Sequence, residues 1–116
     1  MSTLHRLKGW LRNPKNHVSI QRDPLAYGGT GRTGRTFIKR QMFVTRNGIS
    51  MSIQMSDLHN CKPGESVEMW RCPPSPLLAA YGGGEDPYSY VPLEVVAGYI
   101  DSLESLGENH ELHDNN

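Results

Sequence analysis

Cysteine is nearly absent from this sequence: Cys61 and Cys72 are the only two in 116 residues. Two thiols are too few to staple a small secreted fold, so the expectation is reduced cysteines in a reducing compartment. Long apolar runs are also missing. Stretches such as Pro73 to Gly84 are short and broken by proline and glycine, whereas a bilayer span needs about 20 apolar residues. His5, Arg6 and Lys8 interrupt any apolar segment of a leader peptide, so the expectation is a soluble, intracellular protein with no membrane partner. Aromatics make up 8% of the chain and hydrophobic residues 36%. The mean hydropathy of −0.56 is polar for a folded protein, yet the aliphatic content is too high for full disorder. At this length one domain with a modest core is expected.

Net charge is another absence, because 12 basic and 12 acidic residues cancel. The cancellation hides two opposite halves. Met1 to Arg46 carries ten Lys/Arg against the single Asp23, a net +9, while Asn47 to Asn116 carries Lys62 and Arg71 against eleven acids, a net −9. Such a layout fits internal pairing after folding, a footprint for an anionic partner, or self-association as a homodimer.

Local pattern predicts the elements. Leu4, Leu7 and Leu11 have helical spacing up to Asn13-Pro14, giving a short N-terminal helix. Val18 and Ile20 alternate with polar neighbours in a short strand ended by Asp23-Pro24. Tyr27 to Thr36 holds four glycines and reads as a mobile loop, and Phe37 to Thr45 resumes strand character. Asn47-Gly48 predicts a tight two-residue hairpin turn, followed by the strict alternation of Ile49, Met51, Ile53 and Met55 with Ser50, Ser52, Gln54 and Ser56. Lys62-Pro63-Gly64 predicts a turn. Ser66 to Arg71 predicts another strand, with Val67 and Met69 on one face and Trp70 on the other. Tyr81 to Pro87 reads as a flexible loop. Pro92 then opens a helix with Leu93, Val96, Ile100, Leu103 and Leu106 in its apolar stripe and Gly107 as its stop. The expected architecture is α+β: three or four antiparallel strands packed on one C-terminal amphipathic helix, as a single domain over 1–107 with a disordered acidic tail over 108–116.

Gly29 to Gly34 formally matches G-x-G-x-x-G. The dinucleotide fingerprint needs a strand before it and a helix after it, and here Pro24 precedes and a β-like run follows. The loop still offers Arg32, Arg35, Thr30 and Thr33 to phosphates. His59, Cys61 and Cys72 are three candidate zinc ligands or a thiol site, but no second ligand pair completes the usual set of four. Nothing in the sequence implies a catalytic constellation, a bound metal or a cofactor. The richer signal is Tyr81, Tyr88 and Tyr90 beside a glycine loop, with Trp70 next to Arg71, since tyrosine and glycine together suit binding surfaces. The two Tyr/Gly loops, 27–34 and 81–90, are expected to form one rim if the sheet brings them together.

Ser52-x-Gln54-x-Ser56-x-x-His59-x-Cys61, followed by Tyr90-Val91-Pro92-Leu93-Glu94-Val95-Val96, resembles a pattern in small accessory proteins of tailed bacteriophages and prophages, over about Phe43 to Gly107. The resemblance implies a phage product acting in the host bacterial cytoplasm, where such proteins commonly block or sequester a host component without catalysis. The expected function is therefore a non-catalytic binding protein that engages a host protein or nucleoprotein complex, such as a CRISPR defence complex, through its basic half. Two alternatives stand beside it: a module for an anionic nucleotide or nucleic acid, and a small metal- or thiol-dependent enzyme at His59, Cys61 and Cys72. The candidate contact residues are Arg32, Arg35, Lys39, Arg40, Tyr27, Tyr81 and Tyr88.

Overall fold

The computed structural model describes residues 1–23 and 35–114, excepting the side chains of residue 23 and of residues 107–114. The chain order is α1 (Thr3–Arg12), β1 (His17–Asp23), β2 (Arg35–Arg40), β3 (Phe43–Val44), β4 (Ser50–Gln54), β5 (Ser66–Trp70), β6 (Tyr88–Pro92) and α2 (Leu93–Asp114), an α+β fold. The strands form two antiparallel sheets, a β1-β2 pair and a four-stranded meander β3-β4-β5-β6. No helix among the described residues is long and apolar enough to cross a membrane.

Helix α1 starts where the Ser2 side chain accepts the His5 N–H, a standard N-cap. Its apolar spacing buries Leu7 and Leu11. The four-stranded sheet follows from alternation. Met51, Ile53, Val67, Met69 and Val91 all fall on one face and are fully or almost fully buried, against Leu7, Val96, Tyr99, Ile100 and Leu103 of the helices. Each such aliphatic side chain contributes about 1.5–3 kcal/mol by leaving water. The opposite face carries Ser52, Gln54, Glu68 and Trp70, paired as Ser52 with Trp70 and Gln54 with Glu68.

Several expectations need correction. The run from Phe37 to Thr45 is two strands in different sheets, broken at Gln41-Met42, and β2 begins at Arg35, inside the segment expected to be loop. The remainder of that loop lies outside the described residues. Between β3 and β4 the turn proper holds three residues, Arg46 to Gly48, rather than two: Thr45 N–H donates to Ile49 O, and Gly48 N–H donates back to Thr45 O. Gly48 has φ +87°, the left-handed position that three-residue hairpins reserve for glycine. The Lys62-Pro63-Gly64 turn forms as expected, with Glu65 N–H donating to Lys62 O at 2.9 Å. A 3-10 turn over Pro76–Tyr81 precedes the loop expected over Tyr81 to Pro87, and strand β6 takes the chain from Tyr88 directly to α2. Pro92 ends β6, an edge strand that tolerates a missing N–H, and α2 starts one residue later. Backbone helix continues through Gly107 to Asp114, beyond the expected stop.

Part of the opposition between the charged halves is met inside the chain. Arg6 binds Glu104 through both carboxylate oxygens at 2.8 and 2.9 Å, Thr3 donates to Asp101, and Arg46 N–H donates to Glu104 at 2.8 Å. These contacts fasten α1 and the β3–β4 turn to α2.

Candidate anion-binding groove

The hairpin β1–β2 meets the end of β4 and the segment that follows it, and Arg40 fixes it there. Its backbone N–H donates to Gln54 Oε1 at 2.8 Å, and Gln54 Nε2 donates back to Arg40 O at 3.0 Å. The guanidinium is turned inward: Nε and Nη2 donate to Leu11 O at 3.1 and 3.0 Å, and Nη1 donates to Met55 O at 2.5 Å. Leu11 O is one of the carbonyls left over at the end of α1, so Arg40 caps that helix as well. At 6% exposure Arg40 is a structural clamp, which corrects its expected role as a surface contact. Burial lowers its pKa from the ordinary arginine value, with the nearby Cys61 thiol acting in the opposite direction.

The far end of the hairpin is held by a second set of contacts. Thr36 N–H donates to Asp57 Oδ2 at 2.9 Å and Asp57 N–H donates to Thr36 O at 3.1 Å. Phe37 stacks on His59 with ring centroids 5.0 Å apart. His59 Nδ1 lies 2.6 Å from Ser56 Oγ, which also accepts the Leu58 N–H at 3.3 Å. Burial lowers the His59 pKa, outweighing the carboxylate of Glu68, so at neutral pH a neutral ring shares one hydrogen bond with the Ser56 hydroxyl. The Cys61 thiol donates to Ser56 O at 3.5 Å, and burial pushes its pKa up. A protonated thiol and a buried serine spanning one turn staple that turn. Cys72 is half-buried elsewhere, beside Tyr99, and burial raises its pKa too. Among the described residues no group of three or more His, Cys, Asp or Glu is placed to hold a metal ion, so His59, Cys61 and Cys72 are not gathered into a ligand set.

Where the hairpin leaves the sheet, a cavity of about 360 Å³ opens. Ser52, Gln54 and Trp70 line it from the polar face of the sheet, and Val18, Lys39 and Met42 line it from the hairpin and the segment that follows. Arg40 and Arg71 complete its basic character, and none of its described lining residues is acidic. Trp70 is 38% exposed, as is Met42, and Val18 is more open still. Trp70 and Arg71 also line a neighbouring cavity of about 430 Å³ with Cys72, Gly83, Asp86 and Tyr88. They form the ridge between the two hollows. Arg71 holds φ +56°, a left-handed conformation that costs a residue with a side chain roughly 1–2 kcal/mol and turns the chain sharply at the end of β5. No family model, curated protein or solved structure matches the chain. The groove is therefore read from its own chemistry.

Of the residues expected from sequence to make contacts, Lys39 is exposed and lines the groove. Arg35 is exposed at the start of β2, opposite Asp23 in the register. Tyr27 and Arg32 lie outside the described residues. Tyr81 and Tyr88 are half-buried against the core, with Tyr88 reaching the second cavity. Of the rim expected from two Tyr/Gly loops, the 27–34 loop lies outside the described residues. Instead the structure gathers Lys39, Met42 and Val18 with Trp70 and Arg71. The sequence signal for this grouping was a tryptophan on the polar face of an alternating strand, followed at once by arginine.

Proposed function

We propose that the protein is a non-catalytic binding module whose groove receives a phosphate-bearing partner. The observation that carries this reading is the convergence of Lys39 and Arg71 on one concave cleft floored by Trp70, with no acidic residue among its described lining. Positive charge in a low-dielectric cleft attracts anions more strongly than the same charge on a flat surface. Lysine and arginine at the mouth can meet phosphate oxygens directly, and the tryptophan and methionine supply contact area that an inorganic ion would not use. The resemblance to phage accessory proteins supports a host component, such as a nucleoprotein complex, as the partner, with occupation of its nucleic-acid path as the mode of action.

The test is charge reversal of the two exposed cations, Lys39→Glu with Arg71→Glu. The purified protein is titrated against mixed-sequence single-stranded and duplex oligonucleotides in 0.15 M salt, and used to capture partners from bacterial lysate with and without nuclease. The wild type is expected to bind and the double variant to lose at least ten-fold in affinity with an unchanged circular dichroism spectrum. Equal binding by the two proteins, or no binding by the wild type to any phosphate-bearing partner, overturns the reading.

A further inference from the structure

We infer that the groove takes a single-stranded nucleic acid with an unpaired base stacked on Trp70; the inference rests on the phosphate-bearing partner proposed above and names its class. Three observations carry it. The first is the position of Trp70. Alternation along β5 puts Val67 and Met69 into the core and sends Trp70 to the opposite, polar face. The ring pairs among the described residues are Trp10 with Phe43 and Phe37 with His59, so Trp70 stacks on no other aromatic among them. The ring is 38% exposed on a serine- and glutamine-bearing face, and a partly open aromatic ring is a surface on which a base can stack.

The second observation is the arrangement of charge around the ring. Arg71 follows Trp70 directly and Lys39 stands across the groove from the sheet residues. Phosphates flanking a stacked base would meet one cation on each side. The strained backbone at Arg71 belongs with this placement, because a residue held in the left-handed region at a concave site is a recurrent mark of a binding position.

The third is shape and the small number of cations. A cavity of about 360 Å³ is in the range of clefts that hold one small-molecule-sized group, about 300–1,000 Å³. A duplex keeps its bases stacked inside and presents only a convex backbone, so it can touch the rim cations without reaching the ring. A single strand can turn a base inward. With two exposed cations and the buried Arg40 in the field, the dependence of affinity on salt should be shallow. For a single strand the slope of log K against log salt is about −0.7 per phosphate neutralised, which gives a slope of roughly −1.4 for the two exposed cations.

The experiment measures fluorescence anisotropy with labelled dT12, an abasic strand of equal length and a duplex of equal length, from 0.05 to 0.3 M salt. The proteins are the wild type, Trp70→Ala, Trp70→Phe and the Lys39→Glu/Arg71→Glu double variant, each checked for an unchanged melting curve. The expected result is that dT12 binds at least ten-fold tighter than the abasic strand or the duplex. Trp70→Ala should lose five-fold or more on dT12 and less than two-fold on the abasic strand, with Trp70→Phe restoring most of the affinity. If Trp70→Ala binds dT12 like the wild type, or the abasic strand and dT12 bind alike, the stacking inference is overturned. In that case a loss on all three ligands in the double variant keeps the phosphate-binding reading intact. If the wild type binds none of the three ligands, the stacking inference falls together with any nucleic-acid form of that reading.

Discussion

Replacing Arg40 with alanine is the perturbation whose cost the structure lets us work out most fully. The side chain makes three charge-assisted hydrogen bonds, two to Leu11 O and one to Met55 O. Such bonds contribute roughly 1.5–3 kcal/mol each, but the sum overstates the net effect. Among the described residues the guanidinium is buried with no carboxylate beside it, and its own desolvation offsets much of the gain. The better measure is what alanine leaves behind: two inward carbonyls without their donor, at about 1–3 kcal/mol apiece. Leu11 O keeps a weak partner in His17 Nε2 at 3.4 Å, which lowers its share. The expected loss is about 3 kcal/mol, from a total stability of about 5–15 kcal/mol. At roughly 4 °C per kcal/mol for a domain of this size, thermal unfolding followed by circular dichroism should show a fall of roughly 10–15 °C. Arg40→Lys keeps the charge but cannot fork between two carbonyls, so its melting temperature should lie between the two. Lys39→Ala, on the exposed neighbour, should move it by less than about 2 °C. An Arg40→Ala protein melting within about 2 °C of the wild type would refute the clamp.

Four further outcomes follow from the same geometry. Ile53→Asp should unfold the domain, because Ile53 is fully buried and an isolated buried carboxylate costs several kcal/mol; Ser52→Asp should fold normally in the same denaturant titration and weaken anion binding. Stability should fall as pH drops below about 6.5, since burial holds the folded-state His59 pKa under its unfolded value. The unfolded chain then binds the proton first, and the stability present above the unfolded pKa is lost as pH falls through the folded one; His59→Gln should flatten this part of a pH-dependent unfolding series. Glu104→Gln should cost about 1–2 kcal/mol in chemical denaturation by weakening the half-buried Arg6 pair. Gly83→Ala should destabilise by about 1 kcal/mol or more, because φ is +105° and the new Cβ would stand 2.8 Å from Tyr88 Cε1; a nuclear Overhauser pattern around Tyr88 identical to the wild type would contradict that packing.

What could be read from sequence was local. The alternation of Met51 and Ile53 located the buried face of β4, and a Pro-Gly pair located the β4–β5 turn, because both signals act within a few residues. The stripe of α2 was legible at Leu93, Val96, Ile100 and Leu103, all buried, while Leu106 is 63% exposed. Tyr99 escaped notice although it is fully buried. Its ring fills the core and its hydroxyl donates to Pro73 O at 2.5 Å, a partner 26 residues away that no periodicity shows. Arg40 is the same lesson in reverse. A cation in a basic run reads as surface, and only the meeting of the α1 terminus with the end of β4 supplies carbonyls to draw it inward. The groove was half visible, in Trp70-Arg71 and Lys39 separately; their meeting depends on the break at Gln41-Met42, which sends β2 and β3 to different sheets.

In the function proposed above the partner sits in one groove, lined by the hairpin and the polar sheet face. Titration of isotope-labelled protein with unlabelled dT12, followed by amide and indole N–H chemical shifts, tests it most directly. Perturbations are expected at Lys39 to Met42, at Ser52 and Gln54, and at Trp70 and Arg71, with the Trp70 indole among the largest and that of Trp10 unmoved. Shifts gathered instead around Lys8, Lys62 and Tyr90, which line a separate cavity, or no shifts at all at saturating oligonucleotide, would contradict it.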